Sequence, residues 1–192
     1  MANILEKVFP AKKGLAERFE SLHQKVDHGG ITPAKADLEM ATILCREMTA
    51  SLGEASPRSF SVWLAGPTPS EFLLAGWECP AGECGPPPSK LPASVTEAGR
   101  VMGTRRPLVL EEEGKVRELA EKMFPGKRPG PGEWASAVLL PLEKAGEALG
   151  LAAAFFQRRL TEPDVEGLMR FCDLLGSYLF TGEDGLAEIP GS

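Results

Sequence analysis

The sequence predicts an α+β fold: a mostly antiparallel sheet of five or six strands with helices on both faces. Three observations carry the prediction. Two apolar segments, 134–142 and 148–156, flank a short polar turn and lead into a capped amphipathic helix. Both segments are apolar nearly throughout rather than at alternate positions, so both faces of their hairpin need cover. Amphipathic helices stand at the two ends of the chain, with strands punctuated by Gly and Pro between them.

Residues 1–9 read as a frayed or separately packed turn, and Pro10 as the start or kink of a helix. Leu15, Phe19, Leu22 and Val26 then recur at four-three-four spacing, an amphipathic helix closed by Gly29 and Gly30. Thr32-Pro33 opens a second helix, with Leu38, Ala41, Cys45, Met48 and Leu52 on one side and Gly53 and Pro57 at its end. SFSVWLA (59–65) and EFLLAGW (71–77) flank Gly66-Pro67-Thr68-Pro69-Ser70, a hairpin signal. Residues 79–92, with the run Pro86-Pro87-Pro88, read as a loop. A short helix over 94–102, a turn at Gly103-Thr104, a strand over 107–110, a helix over 115–124 and a second Gly/Pro loop follow. The last hairpin turns at 143–147.

Thr161 is the N-cap of the closing helix, with Pro163 in its first turn and Glu162 and Asp164 where the helix dipole favours anions. Val165, Leu168, Cys172, Leu175 and Leu179 make one apolar row, and Phe171, Leu174 and Tyr178 a second beside it. The apolar arc spans more than half of the helix. One row can pack on the sheet; the other calls for a further partner.

The chain has 192 residues, enough for one domain with extensions. Its 27 acidic against 21 basic residues argue against a broad nucleic-acid or anionic-membrane surface. No run approaches the roughly 20 apolar residues that span a bilayer, and the start MANILEKVFPAKK has no signal-peptide core, so a cytoplasmic protein is expected. Reduced thiols are the default for such a protein. Cys45 and Cys172 lie on apolar helix faces and read as small buried hydrophobes. Cys79 and Cys84, in Cys-Pro-Ala-Gly-Glu-Cys, read first as ordinary loop thiols, next as a reversible disulfide or redox pair, and last as half of a metal site.

Three segments in order resemble the GAF domain, a small-molecule-sensing module of signalling proteins. Residues 98–110 (AGRVMGTRRPLVL) resemble its helix, small-residue turn, Pro and short strand; 136–142 (SAVLLPL) resemble its strand ending in Pro-Leu. Residues 147–151 (EALGL), with the helix after Thr161, resemble its closing strand and capped helix. The resemblance covers roughly residues 36–180 and divides the chain into a helical extension (1–32), the domain (33–181) and a flexible tail (182–192). It implies a pocket on one side of the sheet, roofed by 79–101 and 111–133. It also implies a homodimer through terminal helices, which would cover the second row of the closing helix. No output segment is visible in the sequence, so the output is expected on another protein, or this chain is one portion of a longer one. No cofactor is specified.

Candidate ligand-binding residues are Trp77 and Trp134 at strand ends, Cys79 and Cys84 in the first roof, and Arg100, which with Arg105 and Arg106 could clamp a carboxylate or phosphate. Each has a plainer reading: core packing for the tryptophans and a solvated face for the arginines beside Glu111, Glu112 and Glu113. The Asn-Lys-x-Phe-x-x-x-Asp-Glu pattern of cyclic-nucleotide-binding members is absent, and no His follows residue 28. Some members are free methionine sulfoxide reductases that use loop cysteines; here the roof between Glu111 and Glu133 lacks the third cysteine expected of them. The expectation is a non-catalytic sensory or regulatory domain. The alternative is a thiol-based redox sensor or reductase working through Cys79 and Cys84, and a third possibility is a purely structural dimerisation module.

Overall fold

The computed structural model describes residues 4–50, 52, 55–68, 70–79, 86–124 and 134–180, with only the backbone of 4–10 and of 96. The elements are α1 (Ile4–Asp27), α2 (Pro33–Ala50), β1 (Ser59–Ala65), β2 (Glu71–Glu78), β3 (Lys90–Pro92), α3 (Thr96–Thr104), β4 (Leu108–Leu110), α4 (Glu113–Met123), β5 (Ser136–Lys144), β6 (Glu147–Phe156) and α5 (Glu162–Tyr178). The strands form one sheet in the order β3-β2-β1-β6-β5-β4, and every neighbouring pair is antiparallel.

The near-continuous apolar strands are explained by alternation between two cores. Phe60, Val62 and Leu64 of β1, Val138, Leu140 and Leu142 of β5, and Ala152, Ala154 and Phe156 of β6 join a core with α1, α2 and α5. Their sequence neighbours Trp63, Ala137, Leu139, Leu151, Ala153 and Phe155 join a second core with α3 and α4. The sheet is thus the middle of three layers, buried on both sides as its composition requires.

The β5–β6 hairpin closes on Ala145 and Gly146, both at positive φ (51° and 84°), the two-residue geometry that follows strand twist. Asp164 of α5 accepts from the Thr161 N–H at 2.9 Å and from its hydroxyl at 2.8 Å, the reach-back of a capping box. Arg158 Nη1 closes on the same carboxylate at 2.7 Å. Helix α2 lies so close to β2 that a Cβ on Gly76 would meet the Ala41 carbonyl carbon and the Thr42 nitrogen at 2.8 Å.

Two expectations are corrected. Helix α1 begins at Ile4, not after a loose turn, and Pro10 lies inside it at the loss of one backbone hydrogen bond. Packing overrides the local breaker: Leu15, Phe19 and Leu22 are buried against the helical core. The segment read as one loop over 79–92 contains β3, a three-residue edge strand paired through Phe72↔Leu91. Such a piece is too short to show a period, and its Pro92 is tolerated because it stands at an edge.

The second row of α5 has its partner within the chain. Tyr178 meets Phe19 of α1 edge-on at 5.6 Å, and its carbonyl lies 2.6 Å from His23 Nε2. His23 stacks on Phe180 at 4.1 Å, and the Phe180 N–H donates to buried Asp37 of α2 at 2.8 Å. Among the described residues no helix is long and apolar enough to cross a membrane.

Candidate functional site

The chemistry of the second face begins with a period-two pattern in β1. Ser59 and Ser61 alternate with Phe60 and Val62, so the apolar residues enter the helical core while both serines lie on the side of the sheet that carries the second core. Ser61 sits in register between Trp77 of β2 and Ala153 of β6. Its Oγ accepts the Trp63 indole N–H at 3.0 Å and lies 3.5 Å from the Ala153 carbonyl. Ser59, in register with Phe155, is fully buried and its hydroxyl has no hydrogen-bond partner among the described residues. An unpaired buried hydroxyl costs about 1–3 kcal/mol; Ser56 Oγ, Arg58 Nε, Glu143 Oε1 and Arg158 Nη2 are the other buried side-chain polar atoms in this state among the described residues.

Beside these serines the aromatic side chains of this core pack on one another. Trp134 packs 4.8 Å from Phe155 and 5.6 Å from Phe124, and Phe124 meets Phe155 edge-on at 5.6 Å. The segments expected to form the roof contain α3 and α4, which pack into this same core through Ala98 and Val101 and through Val116, Leu119, Ala120 and Met123. Lys122 ties the roof together, its Nζ 3.5 Å from Glu97 on α3 and 2.9 Å from Glu118 on α4. The hydrogen bond that Lys122 donates to Glu118 raises the Lys122 pKa and lowers that of Glu118.

Of the residues expected at the site, Trp77, Cys79 and Trp134 share this cluster. Trp77 is half-buried beside Ser61. Trp134 is 4 % exposed, an integral part of the aromatic stack. Cys79 follows Glu78, the residue paired with Phe60, at the Ser59 end of the sheet; it is buried and disulfide-bonded, not the ordinary thiol expected of it. Cys84 lies outside the described residues, as do the roof segments 80–85 and 125–133. Arg100 is exposed on α3, outside the cluster. Arg105, at positive φ as the α3 C-cap, gives its guanidinium to the Gly146 carbonyl, so it fastens α3 to the last hairpin.

Cys45 and Cys172 are fully buried free thiols, and burial pushes both far from thiolate. They are packing residues, as their helix faces imply. The residues missed at the sequence level are Ser59 and Ser61; their signal was two hydroxyls at alternate positions of an otherwise apolar strand.

No family model and no curated protein matches the sequence. Solved structures do. The GAF domain of a phosphoenolpyruvate-protein phosphotransferase from Acinetobacter aligns with a TM-score of 0.64 at 14 % identity, over 93 % of this chain and 94 % of that one. A free methionine-R-sulfoxide reductase from Neisseria meningitidis, solved with its substrate, aligns at 0.59 and 13 % identity, over 88 % and 87 %. Residues 122 to 287 of a methyl-accepting chemotaxis protein align at 0.60 and 15 % identity, over 85 % and 93 %. The fold is therefore GAF-like, and at these identities the likeness is one of fold.

Proposed function

We propose that this chain is a cytoplasmic sensory or regulatory domain that takes a small ligand between the β1 floor and the α3/α4 roof. The observation that carries the reading is the buried Ser59 hydroxyl beside the aromatic cluster, which has no hydrogen-bond partner among the described residues. A ligand with a flat or apolar body and one hydrogen-bonding group fits such walls and gives Ser59 the partner it lacks. The same strand carries the signal. Phe60, Val62 and Leu64 project from the other side of β1 into the α1/α2/α5 core, so a shift of β1 on binding is felt by the helices. Two copies joined through the helical layer would pass that shift to an output on a separate protein.

A thermal-shift screen of metabolites tests the binding. A ligand at ~100 times its dissociation constant is expected to add about 2.7 kcal/mol of stability. Ser59→Ala should do two things at once: raise the stability of the free protein by about 1 kcal/mol, by removing an unsatisfied buried group, and weaken the ligand. A hit that binds Ser59→Ala unchanged would remove Ser59 from the site.

A second reading is supported by the Cys79 disulfide, an uncommon state for a cytoplasmic protein unless the bond is transient or catalytic. In a sulfoxide reductase two thiols become one disulfide, and the sulfoxide oxygen leaves as water with the two thiol protons. Reduced protein incubated with free methionine sulfoxide and dithiothreitol should then release methionine, and Cys79→Ser should not. Absence of turnover in the unaltered protein leaves the sensor reading alone.

A further inference from the structure

The β5–β6 turn is held from both faces of the sheet. From the α3 side, Arg105 gives its guanidinium to the Gly146 carbonyl. From the α5 side, Lys144 donates to the Leu179 carbonyl at 2.5 Å, a cation at a helix C-terminus where the dipole favours one. The last turn of α5 has no slack against the strand, since a Cβ on Gly176 would stand 2.2 Å from the Glu143 carbonyl oxygen. Arg105 (φ 55°) and Ala145 (φ 51°) are the two non-glycine residues at positive φ among the described residues, and they stand on the two sides of the Arg105–Gly146 contact. Residues with a Cβ persist in that region only where their surroundings hold them there.

The end of α5 is clamped residue by residue. His23 Nε2 of α1 lies 2.6 Å from the Tyr178 carbonyl, Lys144 of β5 takes the Leu179 carbonyl, and Asp37 of α2 accepts the Phe180 N–H at 2.8 Å. Three consecutive residues are thus bonded through their backbone to side chains of three different elements. Two of those elements, α1 and α2, share the layer of α5. Of the three clamping side chains only Lys144 comes from the sheet, and it stands two residues before the carbonyl that Arg105 holds. A covalent stretch of two residues therefore joins α3 on one face to the end of α5 on the other.

We propose that the β5–β6 turn is a relay: displacement of α3 by a ligand is carried by Arg105 to the turn and by Lys144 to residues 178–180, where it releases the clamp on Phe180. This route is separate from β1, and it rests on the ligand-binding reading above for what moves α3. Opening the Arg105–Gly146 contact lets two residues leave positive φ, which offsets part of the lost hydrogen bond. The closed and open arrangements are therefore nearer in energy than at an unstrained contact, as a switch requires.

Amide hydrogen exchange, followed by NMR on the full chain without ligand, tests the relay in Arg105→Met, Lys144→Met and the double variant. Both changes keep an alkyl stem and remove the donors. Lys144→Met should speed exchange of the Phe180 amide about tenfold, the effect of losing one charge-assisted bond. Arg105→Met, on the opposite face of the sheet, should speed the same amide severalfold. The double variant should be no faster than Lys144→Met, because both changes act through one turn. The Phe171 amide, in the middle of α5, is the control and should keep its rate. Phe180 exchange unmoved by Arg105→Met overturns the relay, as does a double variant equal to the product of the singles. Equal speeding of Phe171 and Phe180 also overturns it, since that is lost stability of the whole domain. The measurement needs no ligand, so its failure leaves the binding reading standing. A metabolite screen without a hit removes that reading and leaves the coupling between Arg105 and Phe180 intact.

Discussion

A Cβ on Gly150 would stand 2.1 Å from the Trp63 carbonyl oxygen and 2.9 Å from the Leu64 Cα, both backbone atoms of the neighbouring strand β1. Backbone in the centre of a sheet cannot move aside as a side-chain tip can, so Gly150→Ala is expected to cost roughly 3 kcal/mol in a denaturant melt. Gly114, with nothing within 4 Å of its Cβ position in α4, is the control; Gly114→Ala should stabilise by about 0.5 kcal/mol through the unfolded chain. Asp164 is the other single residue on which much hangs, since one buried oxygen accepts from Arg158 and twice from Thr161. Asp164→Ala leaves those donors without their acceptor, and because the Arg158 side chain is 28 % exposed the loss is expected near 2 kcal/mol rather than the larger penalty of a fully buried pair. Thr161 and Asp164 were legible in the sequence because capping is local chemistry. The pairing of Trp134 with Phe124 and Phe155 was not, since nothing at position 134 tells a pocket wall from a core ring.

Between elements, the roof and the helical layer are held by different forces. Lys122 joins α3 to α4 through a part-buried Glu97 at 3.5 Å and an exposed Glu118, so Lys122→Met should cost no more than about 1 kcal/mol. The pH dependence has a definite sign. Glu118 titrates lower folded than its ordinary 4.5, so its contribution is present above that value and fades as the pH falls below it. The helical layer depends instead on burial: Leu175 is fully enclosed between α5 and its neighbours, and Leu175→Ala is expected to cost about 3 kcal/mol. Helix periodicity placed α2, α4 and α5 close to their observed ends, and alternation with a Gly-Pro turn placed β1 and β2. The edge strand β3 escaped because its partner is 19 residues away at Phe72↔Leu91, a non-local pairing that three residues cannot announce. The apolar arc of α5 was read correctly as two rows, but a sequence gives no means of telling a partner in another molecule from α1 of the same chain.

At the scale of the molecule, that last ambiguity has a measurable consequence. The first 32 residues can be regarded as an appendage to the sheet or as one of its layers, and the two views predict opposite outcomes for a chain that begins at Pro33. As an appendage, α1 would leave a folded domain behind. As a layer, it takes with it Leu15, Phe19 and Leu22, which are 1 %, 0 % and 4 % exposed, and uncovers the Phe171–Leu174–Tyr178 side of α5. Burial of the three α1 side chains alone is worth about 6 kcal/mol at roughly 2 kcal/mol each. That equals the lower part of the whole 5–15 kcal/mol by which domains are stable, before counting the apolar surface newly exposed on α5 and the lost bond between His23 and the Tyr178 carbonyl. The magnitudes favour the layer. The shortened chain should therefore fail to give a cooperative thermal transition, or fold only when α1 is added back as a separate peptide, with recovery of the transition as the readout. A sharp melt within a few degrees of the full chain would show that α2, α5 and the sheet close their core without α1.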